Sequence, residues 1–265
     1  MKAMILAAGL GKRMRPLTEH TPKPLLSVGG HYLIEYHLKN LAKAGFKEVV
    51  INTHWLAEQI PAVLGDGARW GLNISYSHEP DLLETAGGII NALPLLVEGS
   101  FLNSETEQEG VFLVINGDVF CDLDLAAWIK SAPALNTEKN AYLALVDNPD
   151  HHPEGDFIFR SEEQPLALIE PESMKADAKD ENSFTYSGLA LFHCSFFKGL
   201  SDKGGADKGE ADKEQTNSVQ TGPQPLGPLL KAAISEHRVL GTLLSDFWLD
   251  VGTPERFEKL KSRLA

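Results

Sequence analysis

Cysteine is nearly absent: 265 residues contain only Cys121 and Cys194. They lie far apart and outside any C-x-x-C pattern, which excludes a disulfide framework and a cysteine-based zinc site and fits the reducing cytoplasm. Long hydrophobic runs are missing as well, since no stretch approaches the ~20 continuous apolar residues of a membrane span. The apolar opening, residues 3–10, is broken by Gly9 and Gly11 and followed by Lys12-Arg13 without a cleavage site, so it reads as a strand rather than a signal peptide. Positive charge is scarce, with 24 Lys and Arg against 37 Asp and Glu and a net charge of −13. Nucleic acid and membrane surfaces both require concentrated Lys and Arg, so neither is expected as a partner. A small anion is a different case, because a local cluster of cations holds phosphate on an acidic protein. No pattern specifies an oligomeric state.

What is present is an ordinary globular composition, 43% apolar and 23% charged, read as a single domain over residues 1–265. Short apolar runs alternate with helical patterns in the rhythm of βαβ units. Strands are expected at residues 3–8, 48–52, 72–77, 111–115, 141–146, 156–159, 166–169 and 185–192. Helices are expected at 33–44, 56–64, 85–93, 226–236 and 255–264, with broken extended structure over 239–251. The stretch 199–223 differs in kind. It is built from Gly, Asp, Lys, Glu and Ser, contains almost nothing to bury, and reads as a solvated, mobile low-complexity insertion.

Three segments carry chemistry. The first is MILAAGLGKRMRPLT followed by TPKPLL. A strand running into Ala8, Gly9 and Gly11 brings backbone N–H groups close to a polyphosphate, and Lys12, Arg13, Arg15 and Lys23 add positive charge. A dinucleotide fingerprint would want glycine near Met14 and an acidic residue where Asn52 stands. A Walker loop would want Ser or Thr where Arg13 stands. The second segment, Asn116-Gly117-Asp118, follows the strand at 111–115, which is apolar on both faces as a central parallel strand should be. Ligands of open α/β sheets bind at such strand tips. The third is Trp248-Leu249-Asp250-Val251-Gly252-Thr253. Mg²⁺ commonly takes one or two carboxylates and completes its shell with phosphate and water, a role open to Asp118 and Asp250. Either aspartate alone is more often a turn former or helix cap. His54, His151 and His152 fall in no catalytic pattern and read as structural or surface-turn residues.

Together, AAGLGKRMRPLT, TPKPLL, NGD and WLDVGT resemble the sugar-1-phosphate nucleotidyltransferase family over nearly the whole chain except 199–223. The resemblance implies a Rossmann-like, three-layer α/β domain with a mainly parallel mixed sheet. It also implies that the triphosphate is held by Ala8, Gly9, Gly11, Lys12 and Arg13. Lys23 would bridge the α-phosphate and the sugar phosphate, and Asp118 and Asp250 would bind Mg²⁺. Arg13, Lys23, Asp118 and Asp250 are thus the expected catalytic set. Glu79, Glu84 and Thr85 match the segment around the nucleobase; Gly155, Asp156, Glu170, Ser187 and Gly188 match sugar-side positions. Many relatives carry Gly-Thr where this chain has Glu84-Thr85. The chain is most similar to the short, single-domain members of peptidoglycan recycling, which implies UTP and N-acetylmuramate 1-phosphate as substrates. Guanylyl transfer to mannose 1-phosphate, transfer to another sugar phosphate, and a non-catalytic nucleotide-sugar sensor are the competing readings.

Overall fold

The computed structural model describes residues 1–97, 110–159, 166–169, 183–198 and 222–265, with residues 159 and 166–169 as backbone alone. Strand β1 (Ala3–Leu6) is almost wholly buried. It ends before the expected residue 8 because the Ala7 N–H donates to the Asn52 side chain instead of to a neighbouring strand. A small hairpin of β2 (Ser27–Val28) and β3 (His31–Tyr32) leads into helix α1 (Leu33–Lys43). Glu35 accepts the Tyr32 N–H at 2.7 Å at the start of α1, whose buried face is Leu33, Ile34, His37, Leu38 and Leu41.

Strand β4 (Glu48–Thr53), helix α2 (Gln59–Leu64), strand β5 (Asn73–His78) and helix α3 (Glu84–Leu96) follow. α2 starts later than the expected residue 56, because Leu56 has a left-handed backbone with φ 50°. Its Pro61 is the third helical residue, where no intrahelical acceptor exists for an N–H. α3 continues through Pro94, past the expected end at residue 93. Then come β6 (Val111–Asn116), β7 (Val119–Cys121), α4 (Leu125–Ser131), β8 (Ala141–Val146), β9 (Phe157–Phe159), β10 (Leu166–Ile169) and β11 (Ser183–His193). The chain closes with α5 (Leu226–Ser235), β12 (Val239–Leu243), β13 (Trp248–Asp250) and α6 (Pro254–Arg263). β7 and α4 were not expected from the sequence, and the extended stretch 239–251 resolves into two strands belonging to different sheets.

The main sheet has the order β5-β4-β1-β6-β11-β8-β12-β10-β9. Its first four strands pair in parallel, β11 runs antiparallel between β6 and β8, and β12 is parallel to β8. One face is covered by α1, α2 and α4 through Leu38, Ile60 and Trp128, the other by α3 and α5 through Ile89, Leu93 and Leu230. This is the expected three-layer mixed α/β fold. A third cluster packs α6 residues Phe257 and Leu260 against Met14, Leu33, Phe120 and Leu249. Residues 199–221 of the expected insertion lie outside the described residues. Among the described residues no helix is long and apolar enough to cross a membrane.

Candidate active site

Parallel pairing sets the tips of β1, β4 and β6 side by side: Leu6 is in register with Asn52 on one flank and Asn116 on the other. A cleft of about 410 Å³ opens at these tips, lined by Ala8, Gly9, Gly11, Lys12, Arg13, Lys23, Asn52, Glu79, Glu84, Thr85, Asn116, Gly117, Asp118 and Gly252, among others. The expected phosphate loop therefore forms one wall of a real cavity at the edge where α/β sheets place ligands.

Gly11 has φ 59°, its carbonyl accepts from the buried Thr18 hydroxyl at 2.7 Å, and a Cβ here would lie 3.0 Å from the Thr18 methyl. The fold therefore requires glycine at 11. A Cβ at Gly9 would meet nothing within 4 Å, so its open backbone faces cleft space that the fold leaves empty. Lys12 and Arg13 stand exposed on a 3₁₀ turn, Lys12–Met14, that is anchored by buried Met14.

Behind the loop runs a relay of hydrogen bonds. Ala7 N–H donates to Asn52 Oδ1 at 2.7 Å, and Asn52 Nδ2 donates to Glu79 Oε1 at 2.7 Å. Leu83 N–H donates to Glu79 Oε2 at 3.3 Å, and Gln224 N–H donates to the Leu83 carbonyl at 2.8 Å. Glu79 was expected to contact the base. It lines the cleft, but it is 1% exposed and both carboxylate oxygens accept from the protein. Burial pushes its carboxyl up, partly opposed by the Asn52 and Leu83 hydrogen bonds. The Gln224 carbonyl also accepts from Ala86 N–H at 2.9 Å and Gly87 N–H at 3.1 Å, clasping the first turn of α3. Glu84 opens that turn with φ 60°, the conformation for which the glycine of many relatives is suited. Its side chain is exposed at the cleft rim.

The opposite wall is the Asn116-Gly117-Asp118 turn. Gly117 N–H donates to the Leu6 carbonyl at 2.9 Å, and a Cβ there would lie 2.5 Å from the same oxygen, so only glycine lets the turn close on β1. Lys23, on a 3₁₀ turn entered through Pro22, is 8% exposed and places its ammonium 2.7 Å from Asp118 Oδ2. Burial acts to raise the Asp118 carboxyl, but the Lys23 charge and hydrogen bond, helped by Arg13, hold it below the usual carboxylate range.

Asp250 is brought to this turn by β7 and β13, which pair Asp250 with Val119, while Val251 N–H donates to the Asp118 carbonyl at 2.8 Å. Its Oδ2 lies 3.1 Å from Arg256 and 3.6 Å from His151 Nε2, and its buried Oδ1 has no partner. A Cβ on Gly252 would collide with the Arg256 guanidinium, so a larger residue there would have to displace Arg256 from its place beside Asp250. The sequence pointed to neither Arg256 nor His151 here. Thr253 rather than Asp250 caps α6, accepting the Arg256 N–H at 3.4 Å. Among the described residues no group of three or more His, Cys, Asp or Glu converges as a complete metal cage.

Of the expected sugar-side residues, the four that are described, Gly155, Asp156, Ser187 and Gly188, lie outside the lining of this cleft. Ser187 is fully buried, its hydroxyl donating to the Ala144 carbonyl at 2.7 Å inside the β11 bulge. Gly188, with φ 84°, presses on the Asn116 side chain, where a Cβ would approach to 2.8 Å. The Asp156 carboxylate is held by Tyr186 N–H at 2.8 Å and by His152 Nε2 at 3.0 Å. Gly155 has φ 66° and packs on Asn148. Ser187 and Asp156 thus have their side-chain oxygens engaged by the protein, while Gly155 and Gly188 supply left-handed backbone and close approach. Glu170 lies outside the described residues. His54 binds the Glu79 carbonyl at 2.9 Å, a structural role as expected.

Comparison with known proteins accounts for this arrangement. Residues 2–265 match the model of a family described as nucleotidyl transferase. An N-acetylmuramate alpha-1-phosphate uridylyltransferase of Neisseria meningitidis serogroup B is 41% identical over 99% of this chain and 97% of its own length. The catalytic subunit beta of a Xenopus tropicalis mannose-1-phosphate guanylyltransferase is 26% identical over 97% of this chain, which spans 62% of that longer protein. The crystal structure of a putative glucose-1-phosphate thymidylyltransferase from Bacillus anthracis superposes with a TM-score of 0.74 at 18% identity, covering 100% of this chain and 95% of that one, and so shares the fold. The glycine loop, the Lys23–Asp118 turn and the whole-chain match agree, and the chain belongs to the nucleotidyl transferase family as an enzyme of the sugar-1-phosphate kind.

Proposed function

We propose that this protein transfers uridine monophosphate from UTP to N-acetylmuramate 1-phosphate in the cytoplasm, within a single domain, and releases pyrophosphate. The observation that carries this reading is the convergence of Lys12, Arg13, Lys23 and Asp118 on one glycine-walled cleft. The choice of base and sugar rests on the Neisseria relative, which is far more similar than the guanylyltransferase. The presence of Lys23 and both aspartates argues against a non-catalytic sensor.

The donor set fits Mg²⁺. Two hard carboxylates meet at one end of the β7–β13 pair, Asp118 in the turn before β7 and Asp250 at the end of β13, and one of their oxygens, Asp250 Oδ1, is buried without a partner. Asp118 and Asp250 would hold the ion, with phosphate oxygens and water completing its shell. Bound there, Mg²⁺ supplies charge neutralisation for the polyphosphate.

In this reading the Gly9–Gly11 backbone and the side chains of Lys12 and Arg13 hold the triphosphate, and Glu84 and Thr85 border the base. The nucleophile is a phosphate oxygen of the sugar 1-phosphate, already largely ionised because the second phosphate pKa is ~6. It attacks the α-phosphorus, a bond forms between them, and the bond to the bridging oxygen of the β-phosphate breaks as pyrophosphate leaves. No general base is needed, which accords with the lining of the cleft, where the described residues include no histidine. Repulsion between the two anions is the obstacle. Lys23, held on a proline-flanked turn, neutralises charge where they meet. A matrix of nucleoside triphosphates against sugar 1-phosphates, read by pyrophosphate release with Mg²⁺, tests the reading. Turnover confined to UTP with N-acetylmuramate 1-phosphate supports it, and preference for GTP with mannose 1-phosphate overturns it.

A further inference from the structure

Each carboxylate assigned to the metal already has a protein cation: Lys23 lies 2.7 Å from Asp118, and Arg256 lies 3.1 Å from Asp250. The two pairs are built differently. Arg256 rises from the first turn of α6, passes close to Gly252 and has a side chain only 13% exposed, so it lies enclosed beside Asp250, away from the cleft lining. The Lys23 ammonium ends a flexible chain that lines the cleft itself.

A cation approaching Asp118 meets that ammonium. Displacing it without offering another anion would strand a nearly buried charge, which is strongly unfavourable. A triphosphate in the glycine loop removes the difficulty, because its oxygens can receive the ammonium as it leaves Asp118.

We propose that Lys23 is an exchangeable counter-ion that occupies Asp118 until nucleotide arrives, so that one side chain both blocks the empty metal site and couples metal binding to nucleotide binding. This rests on the reading of the cleft as a nucleotide and metal site. Arg256, enclosed beside Asp250, takes no part in this exchange. Because coupling is reciprocal, whatever factor nucleotide adds to metal affinity the metal adds to nucleotide affinity.

The test is Mn²⁺ binding to the nucleotide-free protein, followed by the electron paramagnetic resonance signal of the free ion. The wild type should bind weakly. Lys23→Met should bind roughly tenfold or more tightly, within the usual range of coupling factors. Lys23→Arg keeps a cation on Asp118 and should stay near the wild type. Lys12→Met removes the same charge elsewhere in the cleft and should gain much less than Lys23→Met. Adding Asp118→Asn to Lys23→Met should erase the gain. Lys23→Gln gives the same comparison with a polar end if the Met variant melts early. Calorimetry of UTP binding with and without Mn²⁺ should give a smaller enhancement by metal in Lys23→Met than in the wild type. The proposal is overturned if Lys23→Met binds nucleotide-free Mn²⁺ no more tightly than the wild type, or if the gain survives loss of Asp118. Failure of the nucleotidyl-transfer reading would appear separately, as no pyrophosphate from any substrate pair, and would leave the nucleotide-free measurement readable.

Discussion

The side-chain oxygen of Asn52 lies 2.7 Å from the backbone nitrogen of Ala7, so a residue on β4 supplies the bond that ends β1 and begins the glycine loop. The other end of the same amide binds Glu79. Asn52→Ala leaves a buried N–H and a buried carboxylate oxygen without partners, at about 1–3 kcal/mol each. Urea unfolding should show a loss of that order, and the KM for the nucleoside triphosphate should rise more than the KM for the sugar phosphate.

In the proposed reaction Lys23 aligns two phosphates, a role that kinetics separates from simple anchoring of one. Lys23→Ala should lower kcat by roughly 10²-fold or more, the scale for removing one positioned electrostatic donor, with a smaller loss of nucleotide affinity. Lys23→Arg should not restore full activity, since a planar guanidinium does not replace a compact ammonium. Steady-state kinetics with binding calorimetry decides. Intact kcat with greatly weakened nucleotide binding would reduce Lys23 to an anchor.

Asp118→Asn and Asp250→Asn should each lose most of kcat while melting as cooperatively as the wild type, and EDTA should abolish turnover reversibly. Each substitution also deprives an enclosed cation of its counter-charge, Lys23 in Asp118→Asn and Arg256 in Asp250→Asn, so both melting temperatures should fall. Full activity in either variant would remove that aspartate from the metal site.

His37 is buried in α1 and its Nε2 has no partner. Burial pulls its pKa from 6.5 down to about 4, against a backbone hydrogen bond at Val119 and the Asp118 charge. A depressed histidine pKa gives stability that is complete above the unfolded value and is lost as pH falls. The window here runs from 6.5 down to about 4 and is worth roughly 3 kcal/mol in full. Urea unfolding in EDTA between pH 7.5 and pH 4.5 should show this slope, and His37→Leu should flatten it. An unchanged slope would assign the acid sensitivity to other groups.

Glu84 holds φ 60° at the start of α3, a conformation that costs a non-glycine residue about 1–3 kcal/mol. Glu84→Gly should therefore raise stability by about 1 kcal/mol after the entropy of the extra glycine is offset. If the carboxylate serves the base, the same variant should raise the KM for UTP. Greater stability with unchanged kinetics would leave Glu84 without a role in the cleft.

The parts of this architecture written in local patterns were legible: the buried strands at 3–6 and 111–116, the apolar face of α1, the glycine loop and the Asp118 turn. What escaped was set by contacts between distant residues. Asn52 was visible only as the wrong residue for a dinucleotide fingerprint, because its bonds reach Ala7 and Glu79 across long stretches of chain. Ser187 and Asp156 matched sugar-side positions, yet the β11 bulge and the turn before β9 engage their polar atoms. Arg256 looked like one more charge on an amphipathic helix until β13 placed Asp250 beside it. β7 is three residues long and gains its identity from pairing with β13, a partner that lies more than a hundred residues further along.

The clasp of Gln224 on α3 gives a biosensor designer a point of entry. The described chain resumes at Gly222, and within two residues its backbone is joined by three hydrogen bonds to the turn that carries Glu84 and Thr85. Gly87 has no side chain to hold that backbone away: a Cβ there would lie 3.2 Å from the Gly222 carbonyl and 3.3 Å from the Gln224 nitrogen. At the other end of the 199–221 stretch, Phe196 and Phe197 anchor the chain in the core. A fluorescent protein spliced between these anchors would have one rigid tether and one tether bonded to the rim of the cleft proposed to hold nucleotide. Occupancy of the cleft would then reach the inserted chromophore through the backbone of α3, as a change in brightness on nucleotide binding.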